Sequence, residues 1–112
     1  MKIYHNPRCR KSRETLKILE ENSSDIEIVE YLKTPPSYAE LKDVLMKLNM
    51  SASELIRKSE AIFKEKFKGK DFSEEEWIQV MIENPKLIER PIVVRNNKAV
   101  LGRPPENVEQ LF

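Results

Sequence analysis

Cysteine is nearly missing from this chain: there is one, Cys9, in 112 residues, and one histidine, His5. A lone thiol cannot close an internal disulfide, so nothing here points to an oxidising compartment. One Cys and one His are too few ligands for a zinc site, so no metal is expected. A dithiol centre of the Cys-x-x-Cys type is excluded as well, because Ser12 stands where the second thiol would be.

Long apolar runs are also absent. No stretch approaches the roughly 18 residues needed to span a bilayer, and the opening "MKIYHNPR" turns polar too early for a secretory signal. A charge excess is lacking too: 20 Lys and Arg against 19 Asp and Glu leave +1, whereas a general nucleic-acid binder carries a visible basic surplus. Neither a membrane nor a nucleic-acid partner is expected, and a cytoplasmic location fits. There is no repeat and no low-complexity segment. With 39% apolar and 35% charged residues, residues 1–112 are expected to form one domain around one core.

What the chain does have is a cationic loop built around its only thiol. Residues 4–13 read "YHNPRCRKSR" and place Arg8, Arg10, Lys11 and Arg13 about Cys9. The thiolate, not the thiol, is the nucleophile. A helix predicted to start just after Cys9 would favour that thiolate through its dipole and unpaired N–H groups, and the basic side chains add to the effect. The same amides, at residues 10–13, are suited to an oxyanion. A cysteine kept for packing would sit in an apolar run. These flanks are too polar to bury a thiol well, so Cys9 is read as reactive. A cysteine-phosphatase loop is excluded because it needs an arginine six positions on, where Thr15 stands. A Cys–His hydrolase pair has no evident third residue to orient His5. There remains a single-thiol site that takes its resolving thiol from another molecule.

The elements follow from local pattern. "KIY" reads as a strand and ends at Asn6-Pro7, a turn signal. A helix is predicted from Lys11 or Ser12, with Leu16 and Leu19 on one face. "DIEIVEY" alternates as a half-buried strand from Ile26 to Tyr31. Strand, helix and strand together have the size of a βαβ unit. "KTPPS" is a break, after which Tyr38, Leu41, Val44, Leu45 and Leu48 recur at helical spacing. Ser51 with Glu54 has capping-box spacing and predicts a short helix carrying Leu55, Ile56 and Arg57. "KEKFKGKD", residues 64–71, reads as a loop. Ser73 with Glu76 predicts a helix through Trp77, Val80 and Met81. "RPIVV" and "KAVLG" read as strands joined tightly at Asn96-Asn97, and Pro104 opens a short final helix ending at Leu111. The fold class is α/β: a thioredoxin-like mixed sheet flanked by helices, with a helical insert between its two halves. An unrelated α/β or α+β sandwich shares the pattern.

Four segments, "YHNPRCRKSRETL", "LIRKSE", "ERPIVV" and "LGRPPE", stand in this order across nearly the whole chain. Together they resemble the glutaredoxin-dependent arsenate reductase family. The resemblance implies a thioredoxin-like fold and a reaction in which Cys9 attacks arsenate. Glutathione then attacks the thiol–arsenate adduct, arsenite leaves, and glutaredoxin resolves the mixed disulfide. Arsenate or a similar oxyanion, glutathione and glutaredoxin are the implied partners; glutathione is a co-substrate, and no cofactor is bound. The family's three oxyanion-holding arginines fall on Arg57, Arg90 and Arg103. Guanidinium forks match a tetrahedral dianion, although each arginine alone would read as a surface charge.

His5 matches the family's loop histidine. It would support the thiolate as a cation or by a hydrogen bond, or else brace the loop through a backbone carbonyl. Pro91 and Ser12 are implied structural residues at the site. Pro91 should follow a cis bond, although composition alone favours trans, since only roughly 5–6% of such bonds are cis. Two other readings stand beside the reductase. One is an Spx-type redox regulator binding RNA polymerase, a group that commonly uses the Cys-x-x-Cys pair lacking here. The other is a glutathione-dependent thiol reductase with a different substrate, or a family member that binds glutathione or a small anion without turnover.

Overall fold

Ile3, Val93 and Val100 lie on three different strands, yet the strand register sets them side by side, and Leu19, Val108 and Leu111 close over them. Burying side chains of this size contributes about 1.5–3 kcal/mol each. This cluster organises one of two compact units in the computed structural model, which describes residues 1–112. The unit comprises Met1–Pro35 and Arg90–Phe112. Its strands are β1 (Lys2–His5), β2 (Glu27–Glu30), β3 (Ile92–Arg95) and β4 (Lys98–Leu101). They form a mixed sheet in the order β2-β1-β3-β4, with β1 parallel to β2, antiparallel to β3, and β3 antiparallel to β4. Helix α1 (Arg10–Asn22) makes the crossover that a parallel pair requires. A 3₁₀ helix over Pro105–Leu111 packs against α1 and β4. This is the thioredoxin-like arrangement expected.

Local departures have physical causes. Helix α1 begins at Arg10, earlier than predicted, so that Cys9 itself is its N-cap residue. Strand β2 is shorter than predicted and less buried: it is an edge strand, with Ile28 47% exposed. The hairpin turns where expected, Asn96 adopting φ 55° to match the strand twist. The final helix has 3₁₀ geometry, and Pro104 is its N-cap residue.

The second unit, Pro36–Glu89, is the helical insert. Helices α2 (Tyr38–Leu48), α3 (Ala52–Leu55) and α5 (Glu74–Glu83) each open on a serine–glutamate capping box; the spacing implied those at Ser51 and Ser73, and the box of Ser37 with Glu40 is additional. Helix α4 (Ala61–Lys66) corrects the reading of residues 64–71 as loop throughout. Around it Phe63, Phe67, Phe72 and Trp77 pack together, with the Phe72 and Trp77 ring centroids 4.8 Å apart. Helix α3 stops at Leu55, so Ile56 and Arg57 are not helical. Ile56 instead pairs with Ile88, just after the 3₁₀ turn Pro85–Leu87. No helix is long and apolar enough to cross a membrane.

Candidate active site

Three of the five α-helices start with a serine and at least one glutamate in the first turn; α4 starts with Glu60 and α1 with Cys9, neither with an acid in its first turn. Cys9 has extended backbone angles, φ −92° and ψ 122°, and its side chain makes no capping hydrogen bond. Its amide donates to the Asn6 carbonyl at 3.0 Å, and its carbonyl accepts from Arg13 N–H at 3.0 Å. The thiol is therefore fixed at the positive end of a helix dipole. It is also buried, 8% exposed, contrary to the expectation from its polar flanks. Local composition misled because part of the cover comes from far along the chain: Nη2 of Arg103, 94 residues on, donates toward Cys9 Sγ at 3.8 Å.

Arg103 is held in turn by Arg90, whose carbonyl accepts from Arg103 Nε at 2.8 Å. Both arginines precede a cis peptide bond, to Pro91 and to Pro104. The first had been implied by resemblance; the second was not anticipated. Arg57 belongs to the helical insert. Its amide donates to Leu87 O at 2.7 Å, and its guanidinium lies 3.5 Å from carboxylate oxygens of both Glu60 and Glu89. Arg10 turns along α1 to Glu14, its Nε 2.9 Å from Oε1, and Lys11 is exposed.

His5 is buried and does not brace the loop through a backbone carbonyl. Its Nδ1 lies 2.7 Å from Ser12 Oγ, and the same hydroxyl accepts from Asn6 N–H at 3.0 Å. Burial holds the imidazole below its ordinary pKa of 6.5. Glu30 opposes the shift, Arg13 adds to it, and Glu20 opposes it again. A neutral ring at neutral pH supplies no positive charge, so the cation beside the thiol is Arg103. Ser12, fully buried, ties the loop before Cys9 to the helix after it.

Two residues escaped the sequence reading, Thr15 and Gly102. Thr15 is fully buried, and its Oγ1 donates to Lys11 O at 2.8 Å and faces Gly102 O at 3.3 Å. A Cβ on Gly102 would fall 2.5 Å from Thr15 Oγ1 and 2.8 Å from Pro91 Cγ. The signal available was rarity: Gly102 is one of only two glycines and immediately precedes Arg103. No group of three or more His, Cys, Asp or Glu side chains is placed to hold a metal.

The sequence matches the ArsC family over residues 4–111. It is 55% identical to the uncharacterised Escherichia coli K12 protein YfgD, across 99% of this chain and 95% of that one. It is 43% identical to an arsenate reductase of Neisseria meningitidis, across all of this chain and 97% of that one. A solved arsenate reductase structure from Vibrio cholerae has TM-score 0.94 at 43% identity, covering all of this chain and 98% of the other. The likeness runs over nearly the whole chain in sequence and in fold alike: this chain belongs to the ArsC family.

Proposed function

We propose that this chain reduces arsenate to arsenite, with Cys9 as nucleophile and glutathione as electron source. The observation that carries the reading is the Cys9 thiol at the N-terminus of α1 with the Arg103 guanidinium 3.8 Å from its sulfur. Helix dipole and guanidinium both attract an approaching oxyanion, and the thiolate is the form of cysteine that attacks it. The thiolate attacks arsenic(V); an S–As bond forms and one oxygen leaves as water. The glutathione thiolate then attacks the Cys9 sulfur. An S–S bond forms, the S–As electron pair stays with arsenic, and arsenite departs. Two electrons reach arsenic as two thiols become one mixed disulfide. Glutaredoxin returns Cys9 to the thiol by thiol–disulfide exchange. No bound cofactor enters this scheme, and a reaction that draws on glutathione suits a cytoplasmic location.

Arg103 and Arg90 are assigned to the oxyanion and its adducts. Rigid, always-charged forks suit a tetrahedral dianion whose charge persists through both steps. His5, Ser12 and Pro91 serve the geometry of the loop and of the residues facing it. The test is arsenate-dependent NADPH oxidation coupled through glutathione, glutaredoxin and glutathione reductase. Wild type should turn over, and Cys9→Ser should fall to background with its circular dichroism unchanged. Wild-type activity surviving in Cys9→Ser would remove the thiol from the mechanism. No activity in wild type, with matched glutaredoxin supplied, would remove arsenate as substrate.

A further inference from the structure

We infer that Thr15 is a positioning residue that sets the Arg103 guanidinium against the Cys9 thiol. The inference rests on the reading of Cys9 as the reacting group. Cys9 and Arg103 are 94 residues apart, so something other than chain continuity must hold them in contact. Cys9 is the N-cap of α1, and Thr15 lies six residues into the sequence beyond it, about 9 Å along the axis at 1.5 Å per residue. From there the Thr15 hydroxyl spans two carbonyls, Lys11 O at 2.8 Å in its own helix and Gly102 O at 3.3 Å across the gap. Gly102 is bound on its other side, its N–H donating to Pro91 O at 2.9 Å. The next residue is Arg103, whose Nε binds Arg90 O and whose Nη2 reaches Cys9. The path Cys9, α1, Thr15, Gly102, Arg103 therefore closes on itself.

Steric fit points the same way. Thr15 Oγ1 and Cγ2 fill the space where a side chain at 102 would be, 2.5 and 2.9 Å from an ideal Cβ. The backbone before Arg103 thus approaches α1 as closely as the Thr15 side chain permits. A hydroxyl whose one proton faces two carbonyls, the nearer in its own helix and the farther at Gly102, sets how closely that segment approaches α1. A methyl in its place would keep the volume, leave Gly102 O without that donor, and let the segment drift. Small displacements matter here, because a guanidinium already 3.8 Å from sulfur loses its directional contact within a few tenths of an ångström.

The experiment compares alkylation of Cys9 by anionic iodoacetate with alkylation by neutral iodoacetamide. Both react with the thiolate, so their rate ratio cancels the thiolate fraction and reports the cation beside the sulfur. In wild type the ratio should exceed that of a free thiol. Arg103→Gln should lower it by roughly two- to five-fold, the range of a partly exposed charge pair. Thr15→Val should lower it similarly, whereas Thr15→Ser, which keeps the hydroxyl, should retain it. Melting temperatures should rank differently, because Ser loses a buried methyl and Val does not. Should the valine variant fail to fold, Thr15→Ala replaces it. A wild-type ratio in Thr15→Val or Thr15→Ala, with Arg103→Gln lowered, would overturn the inference. So would a ratio in Arg103→Gln equal to wild type. Failure of arsenate turnover leaves this readout untouched, so the two proposals fail separately.

Discussion

At the scale of single residues, the site depends on a few buried hydroxyls and one buried imidazole. Ser12 Oγ is the clearest case, serving Asn6 N–H and His5 Nδ1 together. Ser12→Ala leaves both without that partner, and a buried polar group deprived of its hydrogen bond costs about 1–3 kcal/mol. Urea unfolding should show a loss of that order; no change would mean that water replaces the hydroxyl. His5 gives a signed pH dependence. Its folded pKa lies below the unfolded value, so the unfolded chain binds the extra proton first. The stability associated with neutral His5 is complete above pH 6.5. It declines as pH falls below that value and is gone once the folded imidazole also protonates. Between pH 7.5 and 5, melting temperature should therefore drop more in wild type than in His5→Asn, which keeps a nitrogen near the Nδ1 position. Equal drops would assign the acid sensitivity to carboxylates.

At the scale of elements, the insert is joined by caps that reach between helices. Both carboxylate oxygens of Glu74, at the start of α5, accept from Ala52 N–H at the start of α3, at 2.9 and 3.1 Å. One side chain thereby satisfies an orphan donor of another helix. Glu74→Ala should destabilise by about 1 kcal/mol, in the usual range for a lost cap, while the neighbouring Glu75→Ala should stay within about 0.5 kcal/mol. Equal effects in chemical denaturation would show that only the dipole of α5 is at work. This also explains what could be read from the sequence. Capping boxes at Ser51 and Ser73, the Asn96-Asn97 hairpin and the N-terminal βαβ unit are local patterns, and they hold. Helix α4 escaped because it is six residues long with only Phe63 buried, too short to show a period among its lysines. The end of α3 was misplaced because Ile56 is claimed by Ile88, a partner 32 residues away. The cover over Cys9 and the Thr15–Gly102 contact were hidden for the same reason, while the four motif segments had already marked Arg90 and Arg103.

At the scale of the whole molecule, the net charge is +1, yet four basic residues crowd residues 8–13. A concentrated cationic patch on a balanced chain selects small anions over polyanions, because affinity for a duplex grows with the number of phosphates neutralised. Under the proposed function, inorganic phosphate, a tetrahedral oxyanion like arsenate, should compete in the coupled assay. Duplex DNA at near-physiological salt should neither bind nor inhibit. Inhibition by DNA at comparable phosphate concentration would reveal a wider basic face than the sequence shows.

The hairpin of β3 and β4 also acts as a ruler. Ile92 is paired with Leu101, and the Gly102 amide binds Pro91 O, so counting on from the turn by the same register brings Arg90 opposite Arg103. The spacing of the two guanidinium carriers is thus counted from Asn96, at the far end of the strands. One residue added inside either strand would shift one arginine by a single step and send it to the opposite face. Length changes in this family member can therefore accumulate at the turn itself, whereas the four paired positions on each side must keep their number.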